Sequence, residues 1–331
     1  MSHLIENKID ITVLITSISQ REVTIKTANY YAEICSEVIL VDEEQPHLSI
    51  EEINAIKKRG ITYISYNSNG YKNSNYEKRK IAASHSNNIY LVHSNHDERY
   101  TRQGLIACLA ELEKDINLAF CAGQAIAIRR NNSKIYFTKS YENLYGYMNN
   151  DTAINRLYYH ANQYAPLAHY SVWRKKHYIS ATTETLKIHD SLSSSNMLDE
   201  VIFEFASDLT GRSKTVPELF WIRNRINPPA HGTREYREKG KQVFEMTEKK
   251  LFLLFQKLEN VQITKIMNGL WINFQFVRTD SFLNKTIIAL KNKLRIFKKK
   301  KMKSDIDTFL NENKLKFDKH DISNVIKSMR L

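Results

Sequence analysis

The sequence has little cysteine, no long apolar run and none of the glycine signatures of common nucleotide sites. Only three cysteines occur in 331 residues, Cys35, Cys108 and Cys121. Each sits within an apolar pattern and none stands at metal-ligand spacing. They read as buried free thiols of a reducing compartment, with no disulfide framework and no zinc module. No apolar stretch approaches ~20 residues, and the N-terminus lacks a basic-then-apolar signal segment, so a cytoplasmic location is expected. Neither GxGxxG nor GxxxxGK[ST] is present, which disfavours dinucleotide enzymes and P-loop NTPases. Zinc-finger spacing, a paired basic recognition helix and an RNP-type aromatic motif are also missing. Nucleic acid is therefore not expected as a partner, and a nucleic-acid-binding protein stands only as an alternative supported by charge.

What is present is a core and a positive balance. Apolar residues make up 42% of the chain, enough for a packed interior. Lys and Arg outnumber Asp and Glu by 49 to 36, which points to a phosphorylated or polyanionic partner or an anionic membrane surface.

The first half alternates strand and helix. "IDITVLITS" (9–17) reads as a buried strand, and "QREVTIKTANYYAEICS" as a helix. "EVILVDEEQP" (37–46) is a second strand, and "IEEINAIKKRG" a short helix with Gly60 past its end. "ITYISYNSNGY" is a third strand and "NYEKRKIAASHSN" a further helix. "NIYLVHS" is the fourth strand, "TRQGLIACLAELEKD" a strongly periodic helix, and "NLAFCAGQAIAIRR" a fifth strand with a bend at Gly123. This order predicts an α/β fold with a mostly parallel sheet flanked by helices. Ligands of such sheets sit outside the carboxyl ends of the strands, where Thr16-Ser17, Asp42 and the run His93 to Glu98 fall.

Two readings of that last run stay open. His93, His96, Asp97 and Glu98 are metal-ligand types, whereas Asp97 alone also suits a cap or first-turn acid of the helix starting near Thr101. Segment 139–180 is rich in Tyr, His and Trp and reads either as a surface of polar-tipped aromatics facing a ligand or as an aromatic-rich helical hairpin. "SNMLDEVIFEFASDLTGRSKTVPELFWIRNR" offers an acid pair, an amphipathic helix, Gly211 as terminator and a closing strand. From about 240 the chain turns to basic amphipathic helix. "SFLNKTIIALKNKLRIFKKKKMK" sets Leu283, Ile287, Leu290, Leu294 and Phe297 on one stripe, with Lys291, Arg295, Lys298, Lys299 and Lys300 among the charges and no acid. Such a helix suits an anionic membrane surface, with packing on a neighbouring helix as the alternative.

The order of elements over roughly 9–228 resembles a GT-A-fold, family-two-type glycosyltransferase of the bacterial surface-polysaccharide kind (capsule or lipopolysaccharide). The matching pieces are "VLITSISQRE", "VILVDEE" with its acid at Asp42, "EKRKIAASHSNN" before the fourth strand, and "LDEVIFEFASDLTG" with Asp199-Glu200 ahead of Gly211. Where that family shows DxD, this chain reads Ser94-Asn95-His96-Asp97-Glu98, so His96 stands in place of the last acid and Asp97 beside it. The resemblance implies a GT-A-like, Rossmann-type domain over 1–235 and a helical extension over 236–331. It also implies transfer of a sugar from a nucleotide-sugar donor to a glycan or lipid-linked acceptor, by inversion.

On this resemblance, Thr16, Ser17, Arg21, Asp42, Arg79, Ser94 and Asn95 would form the nucleotide pocket. His96 and Asp97 would hold a divalent cation, manganese or magnesium, with Arg223, Arg225 and His231 on the phosphates. Glu200, with Asp199 as neighbour and runner-up, would take the acceptor proton. Contact with the inner face of the cell membrane would run through the basic residues of the extension. A non-catalytic nucleotide- or sugar-binding protein of the same fold is the alternative that loss of DxD supports.

Overall fold

The structure is a computed structural model, and it describes residues 8–17, 20–67, 74–96, 98–131, 134–141, 149–163, 165–189, 196–225, 254, 262–266 and 306–329. Among them, β1 (Ile9–Ser17), α1 (Arg21–Ile34), β2 (Cys35–Asp42), α2 (Ile50–Lys57), β3 (Ile61–Ser65), α3 (Ser74–His85) and β4 (Tyr90–Ser94) follow one another as expected. Then come β5 (Glu98–Tyr100), α4 (Arg102–Lys114), β6 (Leu118–Asn131), β7 (Lys134–Ser140), α5 (Ala153–Asn162), a 3-10 turn (Ala168–Tyr170) and β8 (Val172–Arg174). After α6 (Lys175–His189), α7 (Asn196–Thr210) and β9 (Arg212–Asn224), two described helices close the chain, α8 (Ile306–Glu312) and α9 (Lys319–Met329).

The described strands form one sheet in the order β3-β2-β1-β4-β8-β6-β9-β5, with β7 on β6. β1 to β4 pair in parallel, β8 runs against both β4 and β6, and β9 runs parallel to β6. Six strands thus point one way, while β5, β7 and β8 are reversed. The fold is mixed α/β with a mostly parallel sheet between helices. Eight of the nine residues of β1 are buried, the signature of a central strand covered on both faces. Val13, Ile15, Val38 and Leu40 pack toward α1, α4, α8 and α9, while Leu14, Ile39, Val41 and Leu91 pack toward α3, α6 and α7.

Several local devices set the register. The bend expected at Gly123 is a double register shift between β6 and β9. A Cβ there would stand 2.5 Å from Phe220 Cβ, so only glycine admits so close an approach. Thr101 caps α4 by accepting from Gly104 N–H at 3.1 Å, and Asp321 of α9 accepts from Gln103 N–H of the same first turn at 2.9 Å. A cap of α4 is one of the two readings of Asp97; Thr101 supplies that cap, and Asp97 lies outside the described residues.

Neither open reading of the aromatic segment describes Tyr170, Trp173 and Tyr178, which are buried because β8 inserts between β4 and β6 and draws them into the core; among the described aromatics of the segment, Tyr158 and Tyr159 are the exposed ones. The three cysteines are free and buried. No helix among the described residues is long and apolar enough to cross a membrane. The basic stretch containing Lys291, Arg295, Lys298, Lys299 and Lys300 lies outside the described residues, as does His231.

Candidate functional site

At the carboxyl ends of β1 and β4 a group of buried polar side chains meets the start of α3. Thr16 Oγ1 lies 3.2 Å from His93 Nε2 and donates to Asn75 Oδ1 at 3.0 Å. The Ser17 carbonyl accepts from Lys78 Nζ at 2.9 Å, and Lys78 also donates to Glu43 at 2.6 Å. Burial lowers the Lys78 pKa while Glu43 opposes the shift. Lys78 is thus a paired cation.

Arg79 is different. It is 1% exposed, yet its partners among the described residues are the His169 ring and the face of Tyr76 at 4.6 Å. Its terminal nitrogens stand 3.2 and 3.0 Å from Nδ1 and Nε2 of His169. A neutral imidazole has a single acceptor nitrogen, so at most one of the five guanidinium N–H donors is satisfied there. Arg79 Nε, His93 Nδ1 and Ser17 Oγ are all buried without a hydrogen-bond partner among the described residues. His93 and His169 stand edge to face at 5.6 Å. Burial, and then the charge of Arg79, holds both imidazoles well below the usual histidine range, so both are neutral. The group is cationic, buried and short of acceptors, which is the environment an anion satisfies.

A second group adjoins it through Tyr170, the neighbour of His169. Arg223 donates from Nε to Glu98 at 2.9 Å and to the Tyr141 hydroxyl, and its guanidinium lies 4.5 Å from the Trp221 ring. Burial works against its charge, but Glu98 and the two tyrosines more than offset this and raise its pKa. Tyr170 and Trp221 stack with ring centroids 3.7 Å apart, and Tyr141 and Trp221 stack at 5.6 Å. Asn95 bridges Glu98 at 3.3 Å and the Tyr170 hydroxyl at 3.4 Å. Glu200 is half-buried, and after burial its charge is among the causes that raise the Tyr141 and Tyr170 pKa values.

The predicted nucleotide residues fall into two sets. Thr16, Ser17 and Arg79 converge at the crest of β1. Arg21 and Asp42 instead form an ion pair at 2.8 Å, with Tyr63 donating to the same carboxylate at 2.9 Å. Ser94 exchanges a hydrogen bond with the Tyr31 hydroxyl at 3.0 Å and is fully buried. His96 is half-buried, and its carbonyl accepts from Arg99 and Thr27 at 3.0 Å each. Arg225 binds the end of β6 through its backbone N–H to the Ile128 carbonyl at 2.8 Å. The side chain of Asp199 lies outside the described ones.

Sequence reasoning assigned no role to Lys78, His169 or Glu204, and offered His93 only as a candidate metal ligand. For Glu204 a signal existed. Glu200, Glu204 and Asp208 recur every fourth residue through an apolar helix, and one face then carries three acids inward.

No family model and no curated protein matches the sequence. Among solved structures, the chain is similar to S. aureus TarS residues 1–349, alone and in complex with UDP-GlcNAc. In both cases the identity is 13% and the TM-score 0.48, over 83% of this chain and 74% and 75% of that one. Against a longer TarS structure the identity is 14% and the TM-score 0.45, over 45% of that chain. A likeness of this extent assigns no residue here a role.

Proposed function

We propose that the chain is a glycosyltransferase that moves a sugar from a nucleotide-sugar donor to an acceptor hydroxyl. The observation that supports this best is Arg79, a buried guanidinium with no carboxylate partner among the described residues, at the carboxyl end of a parallel sheet. A diphosphate supplies the acceptors that Arg79 Nε, His93 Nδ1 and Ser17 Oγ lack. In the transfer, the acceptor oxygen forms a bond to the anomeric carbon while the bond from that carbon to the phosphate oxygen breaks. The electron pair leaves with the nucleoside diphosphate, whose growing charge Arg79 stabilises. Glu200 takes the proton from the acceptor hydroxyl. Attack opposite the leaving group gives inversion.

The cationic composition of this crest suits phosphate better than a divalent metal ion. Glu98, the acid next to Asp97 in sequence, is already paired with Arg223. No step is therefore routed through a cation. The acceptor belongs beside the Tyr141, Tyr170 and Trp221 group, and we assign it to the glycan or lipid-linked intermediates of surface polysaccharide.

Thermal stabilisation by UDP, GDP, CDP, dTDP and CMP, each with manganese and with chelator, tests the reading. At a hundredfold excess over its dissociation constant a ligand stabilises by about 2.7 kcal/mol. The expected result is a response to one diphosphate that survives chelation. A response seen only with manganese would move the phosphate contacts to His96 and Asp97, and silence with every nucleotide would overturn the transferase reading.

A further inference from the structure

Glu204 lies one helical turn beyond Glu200 on α7 and is fully buried. Its two oxygens are used separately: Oε2 accepts from Ala168 N–H at 2.8 Å and Oε1 from His169 N–H at 2.7 Å. Those two N–H groups open the 3-10 turn that carries His169. The mount behind it is equally defined. His160 stands 3.6 Å from Glu204 Oε2, 2.9 Å from Asp208 Oδ2, and 2.8 Å from the Ala165 carbonyl. Trp173 Nε1 donates to the Ala168 carbonyl at 2.8 Å from the other side.

A buried carboxylate is a costly way to fill a core position, since a hydrophobic side chain of similar volume usually packs there with less desolvation. What the carboxylate adds is direction. Two successive backbone N–H groups aimed at two oxygens of one anion hold the turn in a single orientation. The imidazole of His169 projects from that turn against Arg79, so the orientation of the turn sets the surroundings of the guanidinium.

We infer that Glu204 is a positioning residue of the donor site, its carboxylate gripping the Ala168 and His169 N–H groups and so setting the His169 imidazole against Arg79. This rests on the reading of Arg79 as the phosphate-binding group. It also gives α7 two tasks, because the proposed base Glu200 lies four residues earlier on the same helix.

The test uses the full chain with Glu204→Gln, which keeps the size but turns an amide N–H₂ toward one of the two backbone donors. With ¹⁵N-labelled histidine, the His169 ring signals, assigned by their loss in His169→Asn, should move, while those of exposed His85 stay in place. Binding of UDP, or of inorganic pyrophosphate where UDP does not bind, should weaken about tenfold in each single variant. The double variant should be no weaker than the worse single one, because both act through one contact. Unmoved His169 signals in a folded Glu204→Gln protein would overturn the inference, as would additive, roughly hundredfold loss in the double variant. If wild type binds neither probe, the phosphate reading of Arg79 fails, and the histidine signals alone decide the role of Glu204. Should Glu204→Gln not fold, Glu204→Asp keeps the charge one methylene short. The same displacement of the His169 signals is then expected, and wild-type signals would overturn the proposal.

Discussion

The terminal nitrogens of Arg79 stand 3.2 and 3.0 Å from the two ring nitrogens of His169, with no carboxylate partner among the described residues. A buried cation facing a neutral ring is destabilising in isolation, and it becomes favourable only when an anion completes it.

Arg79→Met therefore separates stability from binding. The variant without nucleotide should be as stable as wild type or gain about 1–2 kcal/mol, because an unpaired buried charge is removed. Its stabilisation by UDP should vanish. Thermal unfolding with and without the nucleotide checks both halves, and a weakened protein with an intact UDP response would contradict the assignment.

Glu200→Gln should leave donor affinity near wild type and lower transfer about 10²–10⁴-fold, the range for loss of a general base. Single-turnover transfer alongside donor binding makes the comparison. Near-normal turnover would remove Glu200 from the role.

The buried acids and histidine of α5 and α7 set a pH dependence. Burial alone would lower the pKa of His160, but Asp208 overrides it and carries the value from 6.5 to about 9. His160 therefore holds a proton in the folded state that the unfolded chain releases at lower pH. Its contribution is full below the unfolded value and is lost as pH rises through the folded one. Denaturant unfolding should accordingly show stability falling from about pH 6 to pH 9, by a few kcal/mol in all. His160→Gln should flatten the upper part of the curve, and an unchanged slope would count against this pairing.

The basic extension makes a separate prediction. Replacing Lys291, Arg295, Lys298, Lys299 and Lys300 with glutamine should abolish co-sedimentation with anionic vesicles, at about 1 kcal/mol per charge near the surface. Retained sedimentation would exclude these residues as the contact.

Much of the first half was legible because central parallel strands announce themselves. Val13 to Ile15, Val38 to Val41 and Leu91-Val92 are covered on both faces, so each reads as an apolar run whatever its neighbours. The helices between them carry their own periodicity and stops, such as the Ser49–Glu52 capping box of α2. β5 was not legible. Glu98-Arg99-Tyr100 has no strand pattern and becomes one only by pairing with Trp221 to Arg223 of β9. β8 was hidden for a related reason, since three residues inserted between β4 and β6 take their conformation from the partners.

The same division runs through the candidate site. Strand ends at Thr16-Ser17 and Asp42 followed from local pattern and from where α/β sheets gather ligands, whereas the role of Glu200 came from the family resemblance alone. That Arg21 has Asp42, and that Arg79 has no acid among the described residues, could not follow, for both are cations on helices beside the sheet and differ only in which distant side chains reach them. His169 is ninety residues from Arg79 in sequence and is delivered by a turn that Glu204 holds from another helix. Apolar periodicity is a local property of the chain and was enough for the layers and for most strands and helices of the first half. Burial and charge pairing are sums over neighbours that only the folded chain brings together, and they decided that Arg21 meets Asp42 while Arg79 meets no carboxylate among the described residues.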